Sequence, residues 1–372
     1  MKGIGYNRKN LIALALAGIL MGCVLWHVNA GATERIDDTR PITITAIADP
    51  SSVLGKEYQG EITVDMYKIA AFDTKGKLTV TDGFKSDKEG EKISFAAMSD
   101  ESADVDKLTE SVKSSIVDPA VAIVKSTNKT PDETLTVRRE NGKLIGVKEI
   151  TSGIGLYLYI PREVKDEINT YTFTPFVVSL PTSTALSKST KVDANGNVVE
   201  VDDASETWNY NVTISLKSDV TSRPASLEII KTLKTYNKSL GTAGFVFEVN
   251  AYNSEKQLVF SNVYPINFNA AGTQSILIEN RIPAGSYVEI KESYSGSSYS
   301  IDGLIQDRDS AEIESLRADE ITPVEFTNDY DDRITEGTIA VENHFVKVQD
   351  GDNVSYKWES NNLPKDTTNT GN

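Results

Sequence analysis

Between Ile62 and Lys68 apolar and polar residues alternate one for one, and alternation of this kind runs through most of the chain. A period of two puts successive side chains on opposite faces of an extended strand. Gly155–Ile160 and Tyr171–Val178 carry the same strand signature, and Asp193-Ala194-Asn195-Gly196-Asn197 marks a hairpin or loop tip. Many short strands separated by Gly, Asn, Asp and Ser turns predict an all-β fold built from tandem β-sandwiches. One segment departs from the pattern. From Asp104 to Val117 the apolar residues Val105, Leu108, Val112 and Ile116 recur at helical spacing, which predicts one added short helix on the first sandwich.

The chain has 372 residues, enough for more than one core. Residues 1–32 read as an export segment. A basic start is followed by the apolar run Leu11–Trp26 and then by small residues, with cleavage best after Ala32 or Ala30. Two other readings stay open: an uncleaved anchor, for which the run is short, and lipidation at Cys23 within Leu20-Met21-Gly22-Cys23. Residues 33–220 form the first sandwich and 226–331 the second, divided by the aperiodic stretch Ser218–Pro224. Residues 332–372 hold a strand-like piece, Thr338–Val348, and a polar tail from Gln349 that reads as disordered.

Composition removes whole classes of chemistry. Cys23 is the one cysteine, and the two histidines are His27 and His344. Once the export segment is gone no disulfide, thiol nucleophile or Cys/His zinc site can be assembled. His344 has no nucleophile elbow near it in sequence, and no pair of acids stands out for hydrolysis. A net charge of −16 repels nucleic acid. Asp193-x-Asn195-x-Asn197 has calcium-loop residue types but a misplaced glycine and no distal glutamate, so it reads as a turn. No cofactor and no metal are expected.

Three polar residues stand where apolar ones are expected. Lys231 shares parity with Leu227 and Ile229, Glu292 with Val288 and Ile290, and Asn328 with Val324 and Phe326. Each therefore lies on the apolar face of its strand, and buried Lys and Glu are rare unless paired. One explanation is that they sit at strand ends and reach water. The other is an intramolecular isopeptide bond between Lys231 and Asn328, promoted by Glu292. Burial favours a neutral, nucleophilic amine and a protonated carboxyl able to shuttle protons. The reaction would run once per molecule, which is self-processing rather than enzymology.

Leu227-Glu228-Ile229-Ile230-Lys231, then FVFEV at 245–249, IPAGSYVEIKE at 282–292 and VEFTNDY at 324–330 resemble, in that order, the collagen-adhesin B-type (Cna B) repeats. The resemblance covers residues 226–331 and is closest to the C-terminal domain of streptococcal major pilins. It implies immunoglobulin-like sandwiches and assigns Lys231, Glu292 and Asn328 the roles of that family's isopeptide triad. The continuation after Glu292, Ser293-Tyr294-Ser295-Gly296-Ser297, departs from the family's pattern.

Trp208-Asn209-Tyr210-Asn211-Val212-Thr213-Ile214-Ser215-Leu216-Lys217 resembles the pilin motif of sortase-built pili, with Ser215 and Leu216 in place of Tyr-Pro. It makes Lys217 a candidate for intermolecular linkage. Lys68, on the parity of Ile62, Val64 and Met66, is a candidate for a second crosslink, although no matching inward Asn presents itself. The resemblance thus implies a pilus or stalk subunit on a Gram-positive cell surface, joined to other subunits through sortase. The alternative is a secreted or lipid-anchored adhesin binding a host protein or glycan. Leu363-Pro364-Lys365 begins a sorting signal that Asp366 and Thr367 do not complete.

Overall fold

The computed structural model describes residues 35–96, 105–183, 189–193, 197–201, 208–295, 299–301, 309–330, 344–350 and 353–359. The export segment with Cys23 and His27, and Leu363-Pro364-Lys365, lie outside the described residues. Among the described residues strand predominates and helix is minor, which makes the fold all-β in class.

In the first half, β1 (Ile42–Ala48) leads through a short helix, α1 (Val53–Glu57), into β2 (Ile62–Phe72) and β3 (Leu78–Val80). After a longer helical segment come β4 (Glu133–Glu140), β5 (Lys143–Ile150), β6 (Gly155–Pro161), β7 (Val164–Lys165), β8 (Asn169–Phe173) and β9 (Phe176–Leu180). Three short strands follow, β10 (Thr182–Ser183), β11 (Ser189–Val192) and β12 (Val198–Val201). The half closes with β13 (Trp208–Asn209), β14 (Asn211–Leu216) and β15 (Ser218–Ser222).

One sheet runs β14-β1-β5-β4-β2-β6-β9, with β3 beside β2. It folds over at β4, whose residues Glu133–Val137 pair with β2 while Arg138–Glu140 pair with β5. The two wings face each other across a core that includes Ile44, Val64, Met66, Tyr157, Val178 and Val212. The first strand, β1, lies parallel to β14, near the end of the half, from Thr43–Asn211 to Ala48–Leu216.

The helical segment is longer than its sequence pattern predicts, and α1 is a second helix that the pattern did not show. It runs as α2 (Val105–Val112), a π-helical turn (Lys113–Val117) and α3 (Asp118–Thr127). Pro119 explains the irregular middle. A proline lacks the N–H that would bond the carbonyl four residues back, that of Ser115. The chain widens there into a π turn, and the backbone amide of Ser94 donates to the Ser115 carbonyl instead (2.9 Å). Leu108, Val112, Ile116, Ala120 and Ile123 then pack against Tyr67, Ile69, Leu156, Leu158 and Val177. This second core explains why Gly155–Tyr159 are buried without interruption. The helix covers the face of β2 and β6 that would otherwise meet water.

The second half holds β16 (Pro224–Leu233), β17 (Ala243–Tyr252), β18 (Leu258–Phe268), β19 (Gly272–Pro283), β20 (Tyr287–Tyr294), β21 (Tyr299–Ile301), β22 (Ser310–Ile313) and β23 (Ile321–Tyr330). They make two sheets, β19-β16-β23-β21 and β18-β17-β20-β22. In β17 burial alternates residue by residue, as a strand with one wet face requires. The inner faces close over Leu227, Ile229, Phe245, Phe247, Ile290 and Phe326. Here too the first and last strands, β16 and β23, are parallel neighbours.

Arg223 alone separates β15 from β16. Its backbone amide donates to the Ile168 carbonyl (2.7 Å) and its side chain to the Asp166 carbonyl (2.7 Å) and Asp319 (2.5 Å). Ile168 itself packs on the second core. Toward the C-terminus, β24 (His344–Asp350) and β25 (Asn353–Glu359) form an antiparallel hairpin. Of the expected strand Thr338–Val348, residues 344–348 are strand and the rest lies outside the described residues, while residues 353–359, expected within a disordered tail, are strand. Val354-Ser355-Tyr356-Lys357-Trp358 alternates with period two, a signal outweighed in the sequence reading by the polar residues around it.

Replacing the buried Ile116 by Ala should destabilise the protein by about 2–5 kcal/mol, as large-to-small core changes do, whereas Lys113→Ala on the exposed face should change little. Urea unfolding of both variants checks this. Equal small losses would show that the helix does not complete the core.

Candidate functional site

Strand parity carries Lys231, Glu292 and Asn328 inward, and the sandwich brings them together. β16 and β23 run parallel in register, Lys231 opposite Phe326 and Leu233 opposite Asn328. Lys231 and Asn328 are thus diagonal neighbours on the inner face of one sheet. Glu292 comes from β20 in the facing sheet, where it pairs in register with Phe247 of β17. Lys231 and Asn328 are 0% exposed and Glu292 is 7% exposed. The reading that these residues reach water at strand ends is therefore excluded by the packing.

The contacts form a closed triangle. Lys231 Nζ donates to Glu292 Oε2 (2.7 Å) and to Asn328 Oδ1. Asn328 Nδ2 donates to Glu292 Oε1 (2.8 Å). Phe245 and Phe247 wall the amine, with ring centroids 4.5 and 5.7 Å from Nζ. These two rings are part of the site that sequence reasoning missed, although Phe245, Phe247 and Val249 share one parity and so one face.

Burial governs the electrostatics. It holds the Lys231 amine below its ordinary value of 10.5, against the opposing pull of Glu292. It also holds the Glu292 carboxyl above 4.5, against the stabilising contacts of Lys231 and Asn328. Both shifts favour the uncharged forms, because a buried ion pair regains by attraction only part of the hydration it loses. A neutral amine faces the amide carbon through the carbonyl oxygen it touches. One carboxyl group reaches both the nitrogen that would lose a proton and the nitrogen that would gain one. The arrangement suits acyl transfer from Asn328 to Lys231.

The other candidate lysines lie in the first half. Lys217 is exposed at the corner between β14 and β15, and Trp208, Tyr210, Val212, Ile214 and Leu216 before it are buried. Lys68 is half-buried beside an irregularity in the β2–β6 pairing, and its Nζ donates to the Ser152 carbonyl (2.7 Å). Among the described residues no asparagine side chain bonds to it. The parallel pair β1 and β14 has no lysine, and its one asparagine, Asn211, is exposed. Asp193 and Asn197 close a hairpin loop by bonding each other. Among the described residues no cluster of His, Cys, Asp and Glu could hold a metal, and no helix is long and apolar enough to cross a membrane.

No family model and no curated protein matches the sequence. The chain is similar, at low TM-scores, to solved structures of Gram-positive pilins. The minor pilin GBS52 of Streptococcus agalactiae matches over 80% of this chain and 99% of its own, at 12% identity and a TM-score of 0.20. The full-length major pilin SpaD of Corynebacterium diphtheriae covers 80% and 100%, at 13% identity and a TM-score of 0.25. The major pilin T3.2 of Streptococcus pyogenes covers 79% and 99%, at 11% identity and a TM-score of 0.24. Likenesses this distant assign no function to this chain.

The raised Glu292 carboxyl makes stability depend on pH once the lysine is gone. In Lys231→Met the folded state holds the Glu292 proton more tightly than the unfolded state does. That stabilisation is fully present below the ordinary value of 4.5 and is lost as pH rises through the folded value. Relative to Lys231→Met/Glu292→Gln, the single variant should therefore lose stability between pH 4.5 and neutrality, measured by urea unfolding. A constant difference across that range would mean that burial does not shift this carboxyl.

Proposed function

We propose that this chain is a structural subunit of a bacterial surface pilus or stalk, locked by an amide bond that it forms once with itself between Lys231 and Asn328. The observation that carries the reading is the Glu292 carboxyl, which bonds the lysine amine and the asparagine amide nitrogen together inside an apolar core. The Lys231 amine attacks Cγ of Asn328. As the Nζ–Cγ bond forms and the Cγ–Nδ2 bond breaks, Glu292 accepts a proton from Nζ and delivers one to Nδ2, and ammonia leaves. Neither a cofactor nor a second turnover is involved, so the chain is not an enzyme in the ordinary sense.

The bond suits a tethered protein. It joins neighbouring parallel strands at the start and end of the second sandwich, 97 residues apart in sequence. By analogy with a disulfide closing a loop of that length, it restricts the unfolded chain by about 5 kcal/mol. Tension applied to the two ends of the sandwich would pass through a covalent link rather than through the hydrogen bonds between β16 and β23. Unlike a disulfide it survives reduction, which fits a chain with no pair of cysteines. The exposed Lys217 is the proposed acceptor for attachment to another subunit, its amine attacking the acyl intermediate of a sortase.

The intact mass of the mature protein tests the bond. Wild type should lack the ammonia from Lys231–Asn328, and Glu292→Ala and Asn328→Ala should keep it and unfold at markedly lower denaturant. A crosslinked peptide that persists in Glu292→Ala would remove Glu292 from the mechanism, and its absence from wild type would remove the bond. In cells carrying the matching sortase, Lys217→Arg should abolish the high-molecular-weight ladder while leaving the internal bond intact. A ladder that persists would place the linkage on another lysine.

A further inference from the structure

Among the described residues β18 pairs only with β17, so it forms one edge of its sheet. Residues 257–278, which include it, hold no Asp, Glu, Lys or Arg, although such residues make up 25% of the chain. On this strand Leu258, Val259 and Val263 are 56%, 41% and 54% exposed, and no other described strand exposes more than one large apolar side chain to that degree. An open row of backbone groups is a template for another strand, and edges that stay single are commonly guarded by charge. This edge carries none.

The hydrogen bonds show which backbone groups face the open side. Along an antiparallel strand, alternate residues direct both their N–H and their C=O to the same neighbour. The Val263 amide donates to Asn262 Oδ1 (2.9 Å), a side chain standing in for a strand. The Asn267 carbonyl accepts from Gln274 Nε2 (2.9 Å), again a side chain. Pro265 has no N–H, so it fits only where β17 needs no donor. Ser261, Val263, Pro265 and Asn267 thus turn their backbone groups to the open edge. The stretch able to pair is bounded on both sides. A bulge beside Ala251 and Tyr252 leaves Val259 out of the β17 register, and Pro265 ends the row of donors.

Val259 and Pro265 stand equally far from Asn262 on either side of it. We propose that β18 pairs with β18 of a second copy of this chain, antiparallel, about a two-fold axis at Asn262. Ser261 then lies opposite Val263 of the second copy, and each gives its N–H to the other's carbonyl. Phe260 meets Tyr264 of the second copy, and both are half-buried in the single chain. The bulged Val259 falls opposite Pro265 of the second copy, so the two residues least able to join a ladder meet each other. The segment is complementary to itself in register and in charge. A net charge of −16 resists the approach of two copies over most of their surface, and an uncharged edge relieves that repulsion locally. The pairing needs neither the Lys231–Asn328 bond nor the pilus reading. A sheet edge is the flank of a sandwich, whereas Arg223 stands at its end, so the contact associates chains side by side.

Sedimentation of the mature protein over a range of concentrations tests the pairing. Wild type should show a monomer–dimer equilibrium. Asn262→Lys sets two like charges opposite each other and should raise the dissociation constant by about tenfold or more. Asn262 is exposed, so this variant should unfold at the same urea concentration as wild type when both are dilute. The pair at the two-fold axis is of the close, non-hydrogen-bonded kind, with Cα atoms about 4.5 Å apart, within reach of a disulfide. Asn262→Cys should therefore become a covalent dimer under mild oxidation several-fold faster than Ser222→Cys, an exposed cysteine on β15. Wild type that stays monomeric at every concentration overturns self-pairing and leaves the edge to a different protein. A dimer that Asn262→Lys does not weaken, or equal oxidation of the two cysteine variants, overturns it as well, because the contact then lies elsewhere.

Discussion

The second half of the molecule is organised around an amine that water cannot reach. Lys231 sits on the inner face of β16 because strand parity sends it there, and the sheet that faces it supplies a single carboxyl group in compensation. A buried ammonium with one partner is an expensive arrangement, and the cheapest relief is a proton transfer that leaves both groups neutral. That relief also makes the amine nucleophilic. Stability and reactivity are therefore set by one constraint, the exclusion of water by Phe245, Phe247 and Phe326.

The parallel pairing of first and last strands would give the proposed bond its mechanical meaning. Antiparallel neighbours in a hairpin are already joined by a short turn, so a crosslink between them restrains little. β16 and β23 are neighbours in space but distant in sequence, and a bond between them would enclose nearly the whole sandwich. The first half uses the same parallel closure, β1 against β14, yet places no lysine in it. Its reinforcement comes instead from a helix laid over the outer face of β2, β6 and β9. Arg223 and Ile168 join the halves through backbone hydrogen bonds and shared apolar packing, so the single residue between β15 and β16 acts as a joint rather than a tether.

Part of this was legible from periodicity. Alternation located several of the strands, among them β2, β6 and β23, and parity alone sent Lys231, Glu292 and Asn328 to inner faces. Parity was a poorer guide in β2, where a register shift near Lys68 breaks the count and leaves that side chain half-buried. It was silent about the helix beyond Val117, because Pro119 reads as a stop. Only the amide of Ser94, brought from elsewhere in the chain, satisfies the carbonyl that the proline leaves unpaired.

What the sequence determined by itself was therefore which way each side chain faces, since the two-residue period is a property of the extended backbone. It also narrowed the chemistry that cysteine and histidine could supply, since the chain has one cysteine and two histidines. Which inward groups touch was decided only by the tertiary structure. Lys231 and Asn328 meet because β16 and β23 are parallel neighbours, and Glu292 reaches them because two separate sheets stack. Such distances are set by packing between elements far apart in sequence, and no local pattern of residues encodes them.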